Sequence, residues 1–141
     1  MSTTIKKRVL ILCTGNSARS QMAEGTLRAL AGDRFDVASA GTKPSIVRSE
    51  AIAVMNERSI DISGHRSKHV DEFSGRHFDY VITVCDDAKE ACPVFTDAAQ
   101  RLHWSLPDPA AVEGATEIRL NAFRQVRDSL ETILREFAHT H

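Results

Sequence analysis

The sequence predicts an α/β fold in three layers, a four-stranded parallel sheet flanked by helices, with residues 1–141 forming one domain. Three observations carry this reading. Short apolar runs of strand length alternate with longer segments of helical period. Strands joined through helices pair in parallel, because the crossover needs a helix's length of chain. The 141 residues, 42% hydrophobic and 26% charged, suffice for one real core, and no repeat, linker or low-complexity tract divides them.

Each element has its own signal. Arg8–Leu12 reads as a buried strand, its apolar run Val9–Leu12 unbroken and carrying the β-branched Val9 and Ile11, as expected of a strand covered on both faces. Gln21–Leu30 follows as a helix with Met22, Ala23, Leu27 and Leu30 turned inward. Phe35–Ser39 alternates as a second strand. Gly41, Pro44 and Ser45 then punctuate a loop before Ser49–Glu57, where Ala51, Ile52 and Met55 give a short helical face. Phe78–Val84 is a third strand running into Cys85, and Arg101–Trp104 a short fourth. Asp86 and Asp87 suit the start of a short helix and Pro93 its end. Glu117–Phe137 is a long helix with the stripe Phe123, Val126, Leu130, Ile133, Leu134 and Phe137, after which Ala138 to His141 read as a frayed end.

Lys plus Arg number 18 against 19 Asp plus Glu, a net charge of −1. No basic field calls for nucleic acid or an anionic membrane, so the expected partners are small anions and proteins. No segment approaches membrane-spanning length, and no long apolar run follows the charges at the start. A cytoplasmic monomer is the expectation.

The stretch Cys13-Thr14-Gly15-Asn16-Ser17-Ala18-Arg19-Ser20 joins the first strand to the first helix. A loop of this length curls into a cup whose backbone N–H groups converge, while the Arg19 guanidinium grips two oxygens of a guest. A tetrahedral oxyanion such as phosphate or arsenate fits it. At the positive end of a helix beside a fixed cation, Cys13 is expected to be thiolate and nucleophilic, with Ser20 donating a hydrogen bond to it. The bland alternative, a structural Cys beside a capping Ser, leaves Arg19 and Gly15 unexplained.

In parallel sheets ligands gather at the carboxyl ends of strands. Cys13 ends the first strand, Cys85 the third, and the loop holding Asp108 follows the fourth, so all three converge on one edge. Pro107 and Pro109 stiffen that loop and restrict how the Asp108 carboxyl points, which suits a general acid for a departing oxygen. Cys85 and Cys92 are seven positions apart. On a helix they would be separated by about 10 Å, at a rise of 1.5 Å per residue, whereas a disulfide needs Cα atoms within about 7 Å. Bridging them requires the segment to unwind or loop out. The alternative is that Cys85 is a buried strand-end residue and Cys92 a small apolar one. Zinc is disfavoured, since the three cysteines include no Cys-x-x-Cys. No metal or bound cofactor is expected, and His65, His69, His77 and His103 read as surface or packing residues.

These residues resemble a known family, the thioredoxin-coupled arsenate reductases built on the low-molecular-weight protein tyrosine phosphatase fold. The resemblance rests on Cys13 through Gly25, Ser39-Ala-Gly41, Asp61-Ile-Ser-Gly-His65, Val84 through Pro93, and His103-Trp104 ahead of Asp108-Pro109. It implies that Cys13 attacks arsenate held by Arg19 and the amides of residues 14–19, and that Asp108 protonates the departing hydroxyl. Cys85 then attacks Cys13 and releases arsenite, and Cys92 moves the disulfide to Cys85–Cys92, where thioredoxin reduces it. Two positions depart from some relatives: Ala18 stands where certain reductases carry an extra cysteine, and Lys68 where relatives with a bound alkali cation carry an acid. Asn16, Glu24 and Ser39 match the rest of that cation site, so the Lys68 ammonium is expected to replace the ion. The competing readings are a phosphatase acting on phosphomonoesters with the same Cys13, Arg19 and Asp108, and a non-catalytic oxyanion sensor. Ala110 and Ala111 follow Pro109 and the one tyrosine lies in a strand, so the cleft lacks the aromatic wall of such phosphatases and favours a small inorganic anion.

Overall fold

The computed structural model describes residues 6–85, 95 and 98–141. Four strands, β1 (Lys7–Cys13), β2 (Phe35–Gly41), β3 (Phe78–Thr83) and β4 (Ala98–His103), form one sheet in the order β2-β1-β3-β4. Every pairing is parallel, with Leu12 opposite both Ala40 and Thr83. Helices α1 (Arg19–Ala31), α2 (Ser49–Asn56) and α3 (Thr116–Thr140) follow β1, β2 and β4. The α/β sheet expected from the sequence is the one found.

Alternation along the buried strands sorts the core into two layers. Val9, Ile11 and Cys13 of β1 and Tyr80 and Ile82 of β3 pack with Met22, Ala23 and Leu27 of α1, Val54 and Met55 of α2, and Phe123, Leu130 and Leu134 of α3. Leu10 and Leu12 face the other way, onto Phe78, Val81 and Phe73, the last from a 3-10 turn at Val70–Phe73. Strand order turns at β1: the chain steps from β1 out to β2 on one side and returns to β3 on the other. Such a switch point leaves a crevice beyond the strand ends, and Cys13 stands at its floor.

Three expectations need correction. Leu30, expected inward, is 39% exposed; it lies in the last turn of α1, where the buried Ala31 fills the inward position. The fourth strand begins at Ala98, ahead of the expected Arg101, because pairing with β3 extends it through residues of weak strand preference. The C-terminus is not frayed, for α3 runs to Thr140 and the His141 ring stacks on Phe137 at 4.5 Å and meets Tyr80 edge-on. The helix expected between Asp86 and Pro93, and Cys92 with it, lie outside the described residues.

Candidate active site

Residues 14–18 turn from the end of β1 into α1, whose first residue is Arg19. The carbonyls of Thr14, Gly15 and Ser17 accept hydrogen bonds from the N–H groups of Lys43, Ser45 and Arg48 at 2.9, 3.2 and 2.9 Å. In a trans peptide the next N–H points opposite the carbonyl, so with these carbonyls turned out, the amides of Gly15, Asn16 and Ala18 turn inward. The result is a cavity of about 230 Å³ lined by Cys13, Thr14, Gly15, Ser17, Ala18, Arg19, Ser45, Arg48, Asp108 and Ala110. No aromatic side chain lines it among the described residues.

Gly41 makes the turn possible. A Cβ there would lie 2.4 Å from the Thr14 carbonyl oxygen and 2.7 Å from that of Cys13, both backbone atoms that cannot give way.

Beneath the cup lies a buried polar network. Ser20 Oγ sits 2.9 Å from Cys13 Sγ and accepts a hydrogen bond from Asn16 Nδ2 at 2.8 Å, which leaves the serine hydrogen for the sulfur. Asn16 has a positive φ of 47°, tolerable for asparagine and here fixed by its side chain. Its Nδ2 also reaches Ser39 Oγ at 3.0 Å, and its Oδ1 accepts from the Lys68 backbone N–H and from Gln21 Nε2. Ser39 in turn donates to Glu24 Oε1 at 2.7 Å. The buried Glu24 carboxylate is compensated by Arg28 at 3.0 Å and faces Lys68 Nζ at 3.9 Å. Burial holds the Lys68 ammonium below the usual lysine range, with Glu24 pulling the other way. Burial likewise lowers His65, again against Glu24 and with Arg28 and Lys68 adding to the effect. Its Nδ1 lies 3.0 Å from Gln21 Oε1 and its Nε2 3.4 Å from Arg28, an arrangement that suits the neutral ring with the proton on Nδ1.

Arg19 is buried and donates to the Leu106 carbonyl at 3.2 Å, which ties the cup to the loop after β4. On that loop Asp108 caps a 3-10 turn at Pro109–Ala111, its Oδ1 accepting from the Ala110 N–H at 3.0 Å. The Val84 N–H donates to the Leu12 carbonyl, so the buried Cys85 lies just past the end of β1, in the same apolar cluster as Cys13. Cys13, Arg19, Ser20, Cys85 and Asp108 thus gather at one edge of the sheet, with Cys92 outside the described residues. The sequence did not assign Gln21, Ser45 or Arg48 to the site, and His65, expected as a surface or packing residue, joins its polar network. Among the described residues no three His, Cys, Asp or Glu side chains are grouped to hold a metal ion.

Residues 8–140 match the low molecular weight phosphotyrosine protein phosphatase family. The chain is 41% identical over 135 residues to the arsenate reductase of Oceanobacillus iheyensis, covering 96% of this chain and 97% of that one. A solved arsenate reductase in the phosphate-binding state superposes with a TM-score of 0.81 at 33% identity, over 95% of this chain and 98% of the other. A thioredoxin-dependent arsenate reductase of Corynebacterium glutamicum gives 0.69 at 25% identity, over 99% of this chain and 66% of the other. Matched over residues 8–140 by that family's model and 41% identical to a relative over nearly its whole length, the chain belongs to the low molecular weight phosphotyrosine protein phosphatase family.

Proposed function

We propose that the protein reduces arsenate to arsenite in the cytoplasm, as a monomer without a resident cofactor, through a relay of three cysteines. The observation that carries the reading is the placement of Cys13 at the end of β1 and Cys85 just past the adjacent parallel β3, beside a cup that no aromatic side chain lines among the described residues. The Cys13 thiolate bonds to arsenic while Arg19 and the amides of residues 14–19 hold the remaining oxygens, and a hydroxyl leaves as water with a proton from Asp108. The Cys85 thiolate then attacks the Cys13 sulfur. The sulfur–arsenic bond breaks with its electron pair staying on arsenic, so arsenic(V) leaves as arsenite and a Cys13–Cys85 disulfide remains. Attack by Cys92 on Cys85 frees Cys13, and an external dithiol supplies the two electrons that reduce Cys85–Cys92. Thioredoxin is the proposed dithiol, in line with the Corynebacterium glutamicum relative.

Oxidation of NADPH with arsenate, thioredoxin and thioredoxin reductase tests this, with glutaredoxin and a small thiol tried in turn. Sustained turnover with thioredoxin supports the reading; none with any reductant contradicts it. A second reading has support in the same cup: nucleophile, clamp and acid suffice for slow hydrolysis of a small aryl phosphate, for which neither Cys85 nor Cys92 is needed.

We also propose that the Lys68 ammonium serves Glu24 in place of an alkali cation. Exchanging sodium chloride for potassium chloride should then leave the thermal midpoint unchanged, whereas a rise specific to potassium would contradict it.

A further inference from the structure

Among the described residues, Arg48 is the one cavity-lining residue with a full charge that the relay leaves without a task. Its backbone N–H binds the Ser17 carbonyl at 2.9 Å, which fixes it to the rim of the cup as the residue preceding α2. Its side chain is exposed and lines the cavity with Ser45, Asp108 and Ala110. No hydrogen bond or ion pair engages its guanidinium among the described residues, whereas Arg124 and Arg127 of α3 are held by Glu57, Glu117 and Asp128. The cup therefore has two guanidiniums at different depths: Arg19, buried and tied to Leu106, and Arg48, at the mouth.

We propose that Arg48 is a specificity-determining residue that selects small inorganic oxyanions over phosphomonoesters. An inorganic oxyanion seated over Cys13 presents one oxygen outward after the amides and Arg19 have taken the others. A guanidinium at the mouth reaches that oxygen with two N–H groups and adds a charge-assisted contact. In a phosphomonoester the outward oxygen carries carbon, so the same guanidinium loses its acceptor and stands where the organic group must pass. Discrimination comes from a contact made to one ligand and an obstruction presented to the other. This inference rests on the reading of the cup as the substrate site, and it deepens that reading by assigning substrate choice to a named side chain.

Calorimetric titration with inorganic phosphate and with phenylphosphonate, on the whole reduced protein, reads the effect without any turnover. Wild type should prefer phosphate. Arg48→Gln should reduce the ratio of phosphate to phenylphosphonate affinity about 10-fold, the size of one hydrogen bond to a charged group. Arg48→Lys, which keeps the charge and loses the fork, should fall between the two. An unchanged ratio in Arg48→Gln, or equal weakening of both ligands, overturns the proposal. The outcome is separable from the reductase reading: a protein that shows the shift in ratio yet never reduces arsenate keeps the Arg48 assignment and loses the proposed reaction.

Discussion

Asp108 separates chemistry from folding at the scale of one residue. Asp108→Asn keeps an oxygen for the Ala110 N–H, so the 3-10 turn retains its cap, yet no proton remains to give. The arsenate step should slow by about 10²- to 10⁴-fold, the usual contribution of a positioned general acid, with the thermal midpoint nearly unmoved. Single-turnover arsenite release and a melting curve check the two halves; unchanged release would remove Asp108 from the mechanism. Cys13, Arg19, Ser20 and Asp108 were legible in the sequence because each announces itself locally, through a strand end, a helix start or flanking prolines. Gln21, His65 and Arg48 were not. The His65 ring meets Gln21 from 44 positions away, and the Arg48 amide meets Ser17 across the β2–α2 connection, pairings that exist only once the fold has formed.

Among elements, the cup depends on β2 as much as on its own loop. Gly41 ends β2, and its missing side chain leaves room for the Thr14 and Cys13 carbonyls. Gly41→Ala should cost about 1–3 kcal/mol, the range for forcing atoms into a packed site, and should weaken phosphate binding by displacing the loop. Chemical denaturation and phosphate titration measure both, and a variant with wild-type stability and affinity would show that the loop yields freely. The sequence marked Gly41 as loop punctuation, since its close approach involves a segment far away in the chain. β1 and β3 were legible from the apolar runs Val9–Leu12 and Tyr80–Ile82. β4 was less so, because most of it is exposed and it is held by pairing with β3 more than by its own composition. Leu30 fits the α1 stripe and still faces water, since periodicity gives direction and not the extent of the layer above.

At the scale of the molecule, parallel order and the switch point bring distant residues to one edge, and the alternation of elements made that much readable. Ion pairs between α2 and α3 were not readable, for they depend on how the helices dock. Glu57, just past α2, accepts hydrogen bonds from Arg124 and Arg127 of α3. Those bonds, Arg124 first, hold its carboxyl down to about 2. The unfolded chain takes up this proton nearer the ordinary 4.5, so the stability Glu57 contributes is complete above that pH and is lost as the pH falls toward about 2. Wild type should melt above Glu57→Gln at pH 7 in low salt, and the two should converge in strong acid; a gap that persists there contradicts the assignment. Salt should narrow the gap at pH 7, because the carboxylate is exposed. The relay itself is tested most directly by mass mapping of Cys92→Ser after one exposure to arsenate without reductant. The relay predicts one arsenite released per protein, a Cys13–Cys85 disulfide, and no further turnover; a free Cys13 in that product, or continued turnover with thioredoxin alone, would contradict it.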